Sequence, residues 1–392
     1  MREVVIVGAV RTPVGRRNGG LSSMHAADLL GVVQAEVLRR AGVDPTEVGQ
    51  VVTGCVGQVG MQSMNVGRTA WLAAGLPVEV PATTVDAQCG SSQQATNLAY
   101  ALVASGVVDV ALACGVEVMS RVSMGSTTPK VPDVGKPINR NYWAHHEFTT
   151  QFEGAERIAE QWGIGRDRTD ELGKRSQDLA AAAWAEGRFD GQIVTVDAPD
   201  LGDDGKPTGR THAVARDEGL RETTLEGLAG LKPTGRPDGV HTAGTSSQIA
   251  DGAAAVLLTT RERARTLGLV PLATVVDVCL VGCDPVLMLE GPIPATRALL
   301  SANGLSIGDI DLVEINEAFA SVVLAWEQEL KADMARVNPN GGAIALGHPL
   351  GATGALLVTK AVHELRRTDG EQALVTMCCG GGLGTGTLLR RT

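Results

Sequence analysis

Cys89 and Cys378 stand far apart in the chain, and glycines follow both: Gly90 after the first, Gly380-Gly381-Gly382 after the Cys378-Cys379 pair. A third segment sets His348 between Gly347 and Pro349. Two thiols and an imidazole on separate loops supply the parts for acyl transfer through a thioester. One thiolate attacks a carbonyl, the imidazole takes its proton, and the second thiol protonates a carbon leaving group.

Each residue also has a plainer reading. A free cysteine is most often a small buried hydrophobe. Cys89, however, falls where a strand gives way to a helix, and there free N–H groups and the helix dipole favour an anion and lower a thiol pKa. Gly90 leaves room for a substrate to approach. The glycines after Cys378 offer N–H groups to an oxyanion, where they could otherwise only bend a hairpin. Asn316, in Asn316-Glu317-Ala318-Phe319-Ala320, is placed either to cap a helix or to donate to an oxyanion. A lone loop histidine is usually solvated. His348 instead sits in a run from Asn338 to Gly354 dense in glycine and proline, which holds an imidazole with little reorganisation.

Other groupings carry less. Cys279 with Cys283, and Cys378 with Cys379, lack the paired spacing of structural zinc sites. His145-His146-Glu147 are consecutive and point apart, so no metal is expected. Gly8 to Gly15 lacks the Lys-Ser/Thr ending of a phosphate loop, and Gly380 to Gly386 does not open a βαβ unit.

The elements that must position these residues are bounded by composition. The chain has 392 residues, 44% hydrophobic and 20% charged, with 49 glycines. That length exceeds one hydrophobic core and predicts two or three packed α/β units rich in tight turns. The formal charge of −10 disfavours nucleic-acid or anionic-membrane partners. An anionic substrate would need a local basic patch. Seven cysteines, an odd number, with no export signal before them, fit a reducing cytoplasmic setting. No apolar run reaches the length of a membrane span.

Along the chain, residues 82–85 read as a buried strand. Ala95, Leu98, Ala99, Leu102 and Val103 then follow a helical stripe, and Val107 to Ala113 is a second strand. Residues 119–249 have another texture, with Pro129, Pro132 and Pro137, helical stretches at 156–162 and 171–184, and a Gly/Asp/Pro loop at 200–210. They read as an insertion that covers a site. Alternation resumes near 250. Asp251 to Thr259 has a helical start, 275–281 is strand-like, and the strand 312–315 leads into a helix with Phe319, Val322, Val323, Trp326 and Leu330 on one face. Val358, Ala361, Val362 and Leu365 stripe another helix, and 373–377 with 385–389 form a closing hairpin.

Together these segments resemble the thiolase family. Gln88-Cys89-Gly90-Ser91-Ser92 is similar to its nucleophile motif, Asn316 to Ala320 to its second, Gly341 to Gly354 to its third, and Cys378 to Gly384 to its fourth. Arg11-Thr12-Pro13, Thr242-Ala243-Gly244, Asp251 to Ala254 and Gly291 to Ala295 also match, so the resemblance spans the chain. It implies two βαβαβαββ halves packed into a five-layered α/β/α/β/α core. The first half would be residues 1–118 with 250–270, the loop domain 119–249, and the second half 271–392. It implies a homodimer or homotetramer acting on acyl-CoA, with coenzyme A as co-substrate and no tightly bound cofactor or metal.

Carried over by position, Cys89 would form the acyl-thioester, His348 would activate it, and Cys378 would serve as acid and base at the α-carbon. His348 and, through a water, Asn316 would form one oxyanion hole; the N–H groups of Cys89 and Gly380 would form the other. Ser247 matches a serine beside pantetheine, and Arg221, across a gap, a basic residue near the nucleotide. Where short-chain biosynthetic members carry His-Met-Gly, this chain has Thr150-Gln151-Phe152-Glu153-Gly154. Gly90-Ser91-Ser92-Gln93-Gln94 also departs from the commoner pattern. Both departures look like thiolases that degrade longer, bulkier or steroid-derived acyl chains. The activity implied is therefore CoA-dependent cleavage of a 3-ketoacyl-CoA, as in fatty-acid β-oxidation. The alternatives are condensation of two acetyl-CoA molecules, or a non-catalytic acyl-CoA- or sterol-binding protein. A ketoacyl synthase would resemble a Cys-His-His site, which the second cysteine argues against.

Overall fold

Every residue of Val4–Arg11, Val110–Val118 and Ala250–Thr260 is buried. Apolar runs without alternation mark strands covered on both faces. The computed structural model, which describes residues 2–128 and 135–392, shows why; Pro129 and Pro132 lie outside the described residues. These strands lie side by side, with Ala250–Thr260 antiparallel to both neighbours. Parallel pairing then adds Gln50–Gly54 and, at the edge, Ala82–Val85.

A second set of strands runs in the order Leu312–Ile315, Gln372–Cys379, Leu383–Arg391 and Ala273–Gly282. The two sets join where Val4 to Ile6 pair antiparallel with Val275 to Ala273. The helices Ser91–Ser105 and Thr353–Thr368 pack between the sets and touch strands of both. Ala26–Ala41 and Val66–Ala73 cover the outer face of the first set; Pro292–Ala302 and Ala320–Leu330 cover that of the second. The result is five layers, helix and sheet alternating.

The middle layer is small-residue and aliphatic: Ala95, Ala99, Ala355, Val358 and Ala361 are fully buried there. Each buried valine contributes about 1.5–3 kcal/mol. Gly354 fits against the backbone N of Gln93, where a Cβ would collide. The Ala355 N–H donates to Ser92 Oγ at 2.9 Å. The two central helices therefore begin side by side, which brings the Cys89 turn and the His348 loop together.

Several expectations shift. Asp251 to Thr259 is strand throughout, not a helical start: its alanines favour a helix in isolation, but they fit the narrow space between two fully buried strands. The 200–210 loop is the tip of a hairpin between Val196–Leu201 and Pro207–Val214. Ala82–Val85 is a half-exposed edge strand, and the strand expected from Val107 begins at Val110. Phe319 precedes its helix as the N-cap residue. The helices expected within 119–249 are Gln151–Gln161 and Arg166–Ala185. All seven cysteines are free. Among the described residues no helix is long and apolar enough to cross a membrane.

Candidate active site

After the edge strand the chain turns sharply through Asp86, Ala87 and Gln88. Gln88 adopts φ 51°, a left-handed conformation costly for a side-chain-bearing residue. Its N–H donates to Asp86 Oδ1 at 2.7 Å, and Ser91 Oγ donates to its carbonyl at 2.6 Å. This knot puts Cys89 immediately before the helix Ser91–Ser105. A Cβ at Gly90 would press on Cys379 Sγ and Thr385, so only glycine lets the turn lie flush on the second sheet. The backbone N–H groups of Gly380 and of Cys89 itself favour the anionic form of the Cys89 sulfur.

His348 is fixed from three sides. Its N–H donates to the Gln248 carbonyl at 3.0 Å, and Gly347 precedes it at φ 113°. Its Nδ1 lies 2.6 Å from Thr353 Oγ1, and that hydroxyl donates to the Pro349 carbonyl at 2.9 Å. A hydroxyl has one proton to give. With it spent on Pro349, Thr353 accepts the Nδ1–H, and Nε2 carries the lone pair. Asn316 Nδ2 lies 3.4 Å from that Nε2.

Burial dominates the electrostatics. It pushes the Cys89 thiol up to about 11, against the opposing pull of the Gly380 and Cys89 N–H groups. The expectation of a lowered thiol pKa is therefore reversed: loss of water outweighs the helix terminus. Charge on Glu117 and Asp86 adds to the rise. Glu117 accepts N–H groups from Val56, Gly57 and Gly351, tying the His348 loop to the first sheet. Burial lowers His348 to about 4. Burial, then the neighbouring Cys89 and Cys379 sulfurs, raises Cys378 well above the ordinary thiol value. Thiols and imidazole all rest neutral.

One cavity of about 770 Å³ gathers the pieces. Cys89, His348, Gly380, Ser247 and Arg221 line it. Cys378 is fully buried behind Cys89, and Asn316 behind His348. The Ser247 N–H donates to the Ala318 carbonyl at 2.9 Å, stitching residues 245–247 to the loop after Asn316. Arg221 is exposed, its guanidinium 2.8 Å from Gln248 Oε1. His145, His146 and Glu147 are exposed, and Glu147 pairs with Arg157 at 2.7 Å. The described residues hold no metal-binding group of three His, Cys, Asp or Glu.

Sequence reasoning passed over Thr353 and Gln248, which fix His348, and the strained Gln88. Thr353 was legible as a hydroxyl five residues past the histidine in a rigid loop. Gln248 meets His348 through its backbone carbonyl, and its side-chain Nε2 donates to the Ile344 and Ala345 carbonyls at 2.8 and 3.1 Å.

The thiolase N-terminal domain family model matches residues 4–262, and the thiolase C-terminal domain model matches 269–391. The chain belongs to the thiolase family. It is 45% identical over 397 residues to steroid 3-ketoacyl-CoA thiolase FadA6 of Mycobacterium tuberculosis, covering 100% of this chain and 95% of that one. A beta-ketoadipyl-CoA thiolase of Acinetobacter baylyi is 42% identical over 406 residues, with both chains fully covered. Among solved structures, the acetyl-CoA acetyltransferase of Bacillus anthracis superposes with a TM-score of 0.91 at 38% identity, covering 100% of this chain and 99% of that one. This thiolase is thus an acyltransferase, of a family that acts on acyl-CoA and CoA.

Proposed function

We propose that this thiolase cleaves a 3-ketoacyl-CoA, with CoA, into acetyl-CoA and an acyl-CoA two carbons shorter. The observation that carries the reading is the one cavity lined by Cys89, His348 and Gly380, with Nε2 the His348 nitrogen left to act as base. His348 takes the Cys89 proton as sulfur bonds to the 3-keto carbon. The bond between carbons 2 and 3 then breaks, its electron pair passing to carbon 2. Cys378 gives its proton to that carbon and releases acetyl-CoA. CoA thiol next attacks the acyl-Cys89 carbonyl, its proton passing to the Cys378 thiolate, and Cys89 leaves as it takes back the proton that His348 holds. Two oxyanions form at different carbonyls, and two donor sets serve them: Cys89 and Gly380 N–H groups for one, His348 and Asn316 for the other.

Ser247 and Arg221, on the cavity wall and rim, are proposed to hold the pantetheine and nucleotide ends of CoA, with residues 119–249 as the cover. A cytoplasmic homo-oligomer fits the free cysteines and the family. The degradative direction is supported by the name of the Mycobacterium tuberculosis relative. The name of the Bacillus anthracis structure supports the reverse condensation on the same residues.

Incubation with 3-ketooctanoyl-CoA, quenching and peptide mass spectrometry should find an octanoyl-derived, two-carbon-shorter acyl group on Cys89. Full thiolysis by the folded Cys89→Ser enzyme would overturn the assignment.

A further inference from the structure

Phe152 opens the helix Gln151–Gln161 and lines the cavity, half-buried. Its ring stands edge-on to Phe319, centroids 5.5 Å apart. Phe319 in turn stands edge-on to His241 at 5.4 Å. His241 Nε2 accepts the Ser321 N–H at 3.3 Å, so Nδ1–H donates to Glu156 Oε1 at 3.0 Å. Glu156 lies one turn beyond Phe152 on the same helix. The ring is thus held by a closed circuit of contacts and keeps its remaining surface for the cavity.

The rest of that wall is equally apolar. Gly154 lets the helix start lie on the Leu287 carbonyl and Met288, so Phe152, Phe319, Met288 and Leu289 form a continuous uncharged surface. Among the described residues, the cations that line the cavity, Arg16, Arg17 and Arg221, are exposed side chains.

We infer that Phe152 selects a 3-ketoacyl chain that is apolar to its end over one that ends in a carboxylate. This rests on the thiolase reading and names the acyl class that reading leaves open. A terminal carboxylate against this wall gives up its water and, among the described residues, meets no lining cation, whereas a hydrocarbon end gains by leaving water.

The test is kcat/KM for acetoacetyl-CoA, 3-ketooctanoyl-CoA and 3-ketoadipyl-CoA in the wild type and in Phe152→Leu and Phe152→Arg. The wild type should favour the octanoyl over the adipyl substrate by about tenfold or more. Phe152→Leu should keep that preference, and Phe152→Arg should cut the ratio at least about tenfold by gaining on the acid. Should the arginine variant not fold, Phe152→Ser should still lower the ratio. Acetoacetyl-CoA cleavage by a wild type that handles the other two equally overturns this inference alone, as does a ratio indifferent to residue 152. A wild type that cleaves none of the three overturns the thiolase reading as well.

Discussion

The Thr353 hydroxyl, on the first residue of a central helix, lies 2.6 Å from Nδ1 of His348 in the loop before it. Because Thr353 spends its proton on Pro349, the contact fixes which imidazole nitrogen can act as base. The cavity-facing chemistry of His348 is therefore set by a side chain that need not touch substrate.

Thr353→Val keeps the shape and removes the acceptor. It should lower kcat about 10–100-fold, part of the contribution of a positioned base, with little change in KM. Thr353→Ser should restore most of the loss. Equal kcat in wild type and valine variant, measured at saturating CoA, would show that the tautomer is not set here.

The pH behaviour follows from burial. His348 is held at about 4, so it stays neutral and basic down to that range. The acid limb of kcat/KM attributable to it should fall near pH 4, not near 6.5. A folded value below the unfolded one means that protonation opposes folding. Its stabilising contribution is present above pH 6.5 and is lost as pH falls toward 4. Wild type should therefore lose stability relative to His348→Asn over that window, read as the difference in Tm.

Cys89, raised to about 11, is a thiol at neutral pH in the free enzyme. Its alkylation by iodoacetamide should climb steadily through pH 9 and 10, because only the thiolate reacts. A rate that levels off from pH 6 would indicate a resting thiolate–imidazolium pair and reverse the electrostatic account.

Much of this site was legible because the chemistry rests on side-chain types in distinctive backbone settings. Cys89 at a strand-to-helix turn, Cys378 before glycines and His348 in a stiff loop are patterns carried by the residues themselves. Their neighbourhood was less so. Gln248 contributes a carbonyl, Gln88 a left-handed backbone, and neither leaves a side-chain signature. The thiol pKa was read from the local helix terminus, while its actual direction depends on burial by segments distant in sequence. Likewise Asp251 to Thr259 was expected to start as a helix and is strand throughout. Only the strands packed on both sides make it extended, and periodicity within the segment does not report them.

The His348 loop also depends on a buried charge. Lys360 Nζ lies 2.7 Å from Glu314 Oε2 and 2.6 Å from the Gly341 carbonyl, with both side chains wholly buried. Burial raises Glu314 to about 7 even beside this ammonium, so the pair is held together against a large desolvation cost. Gly341 opens the segment that ends in His348, at φ 72°, and a Cβ there would strike the Ser176 carbonyl and Ala180. Lys360→Met leaves a buried carboxylate and a carbonyl without their cation and should destabilise the protein by about 3–5 kcal/mol. Lys360→Met with Glu314→Leu should recover most of that, because no charge then remains to be desolvated. Urea unfolding of the two single variants and the double variant closes the cycle. A single Lys360→Met loss below about 1 kcal/mol would mean that the pair is not what anchors the loop.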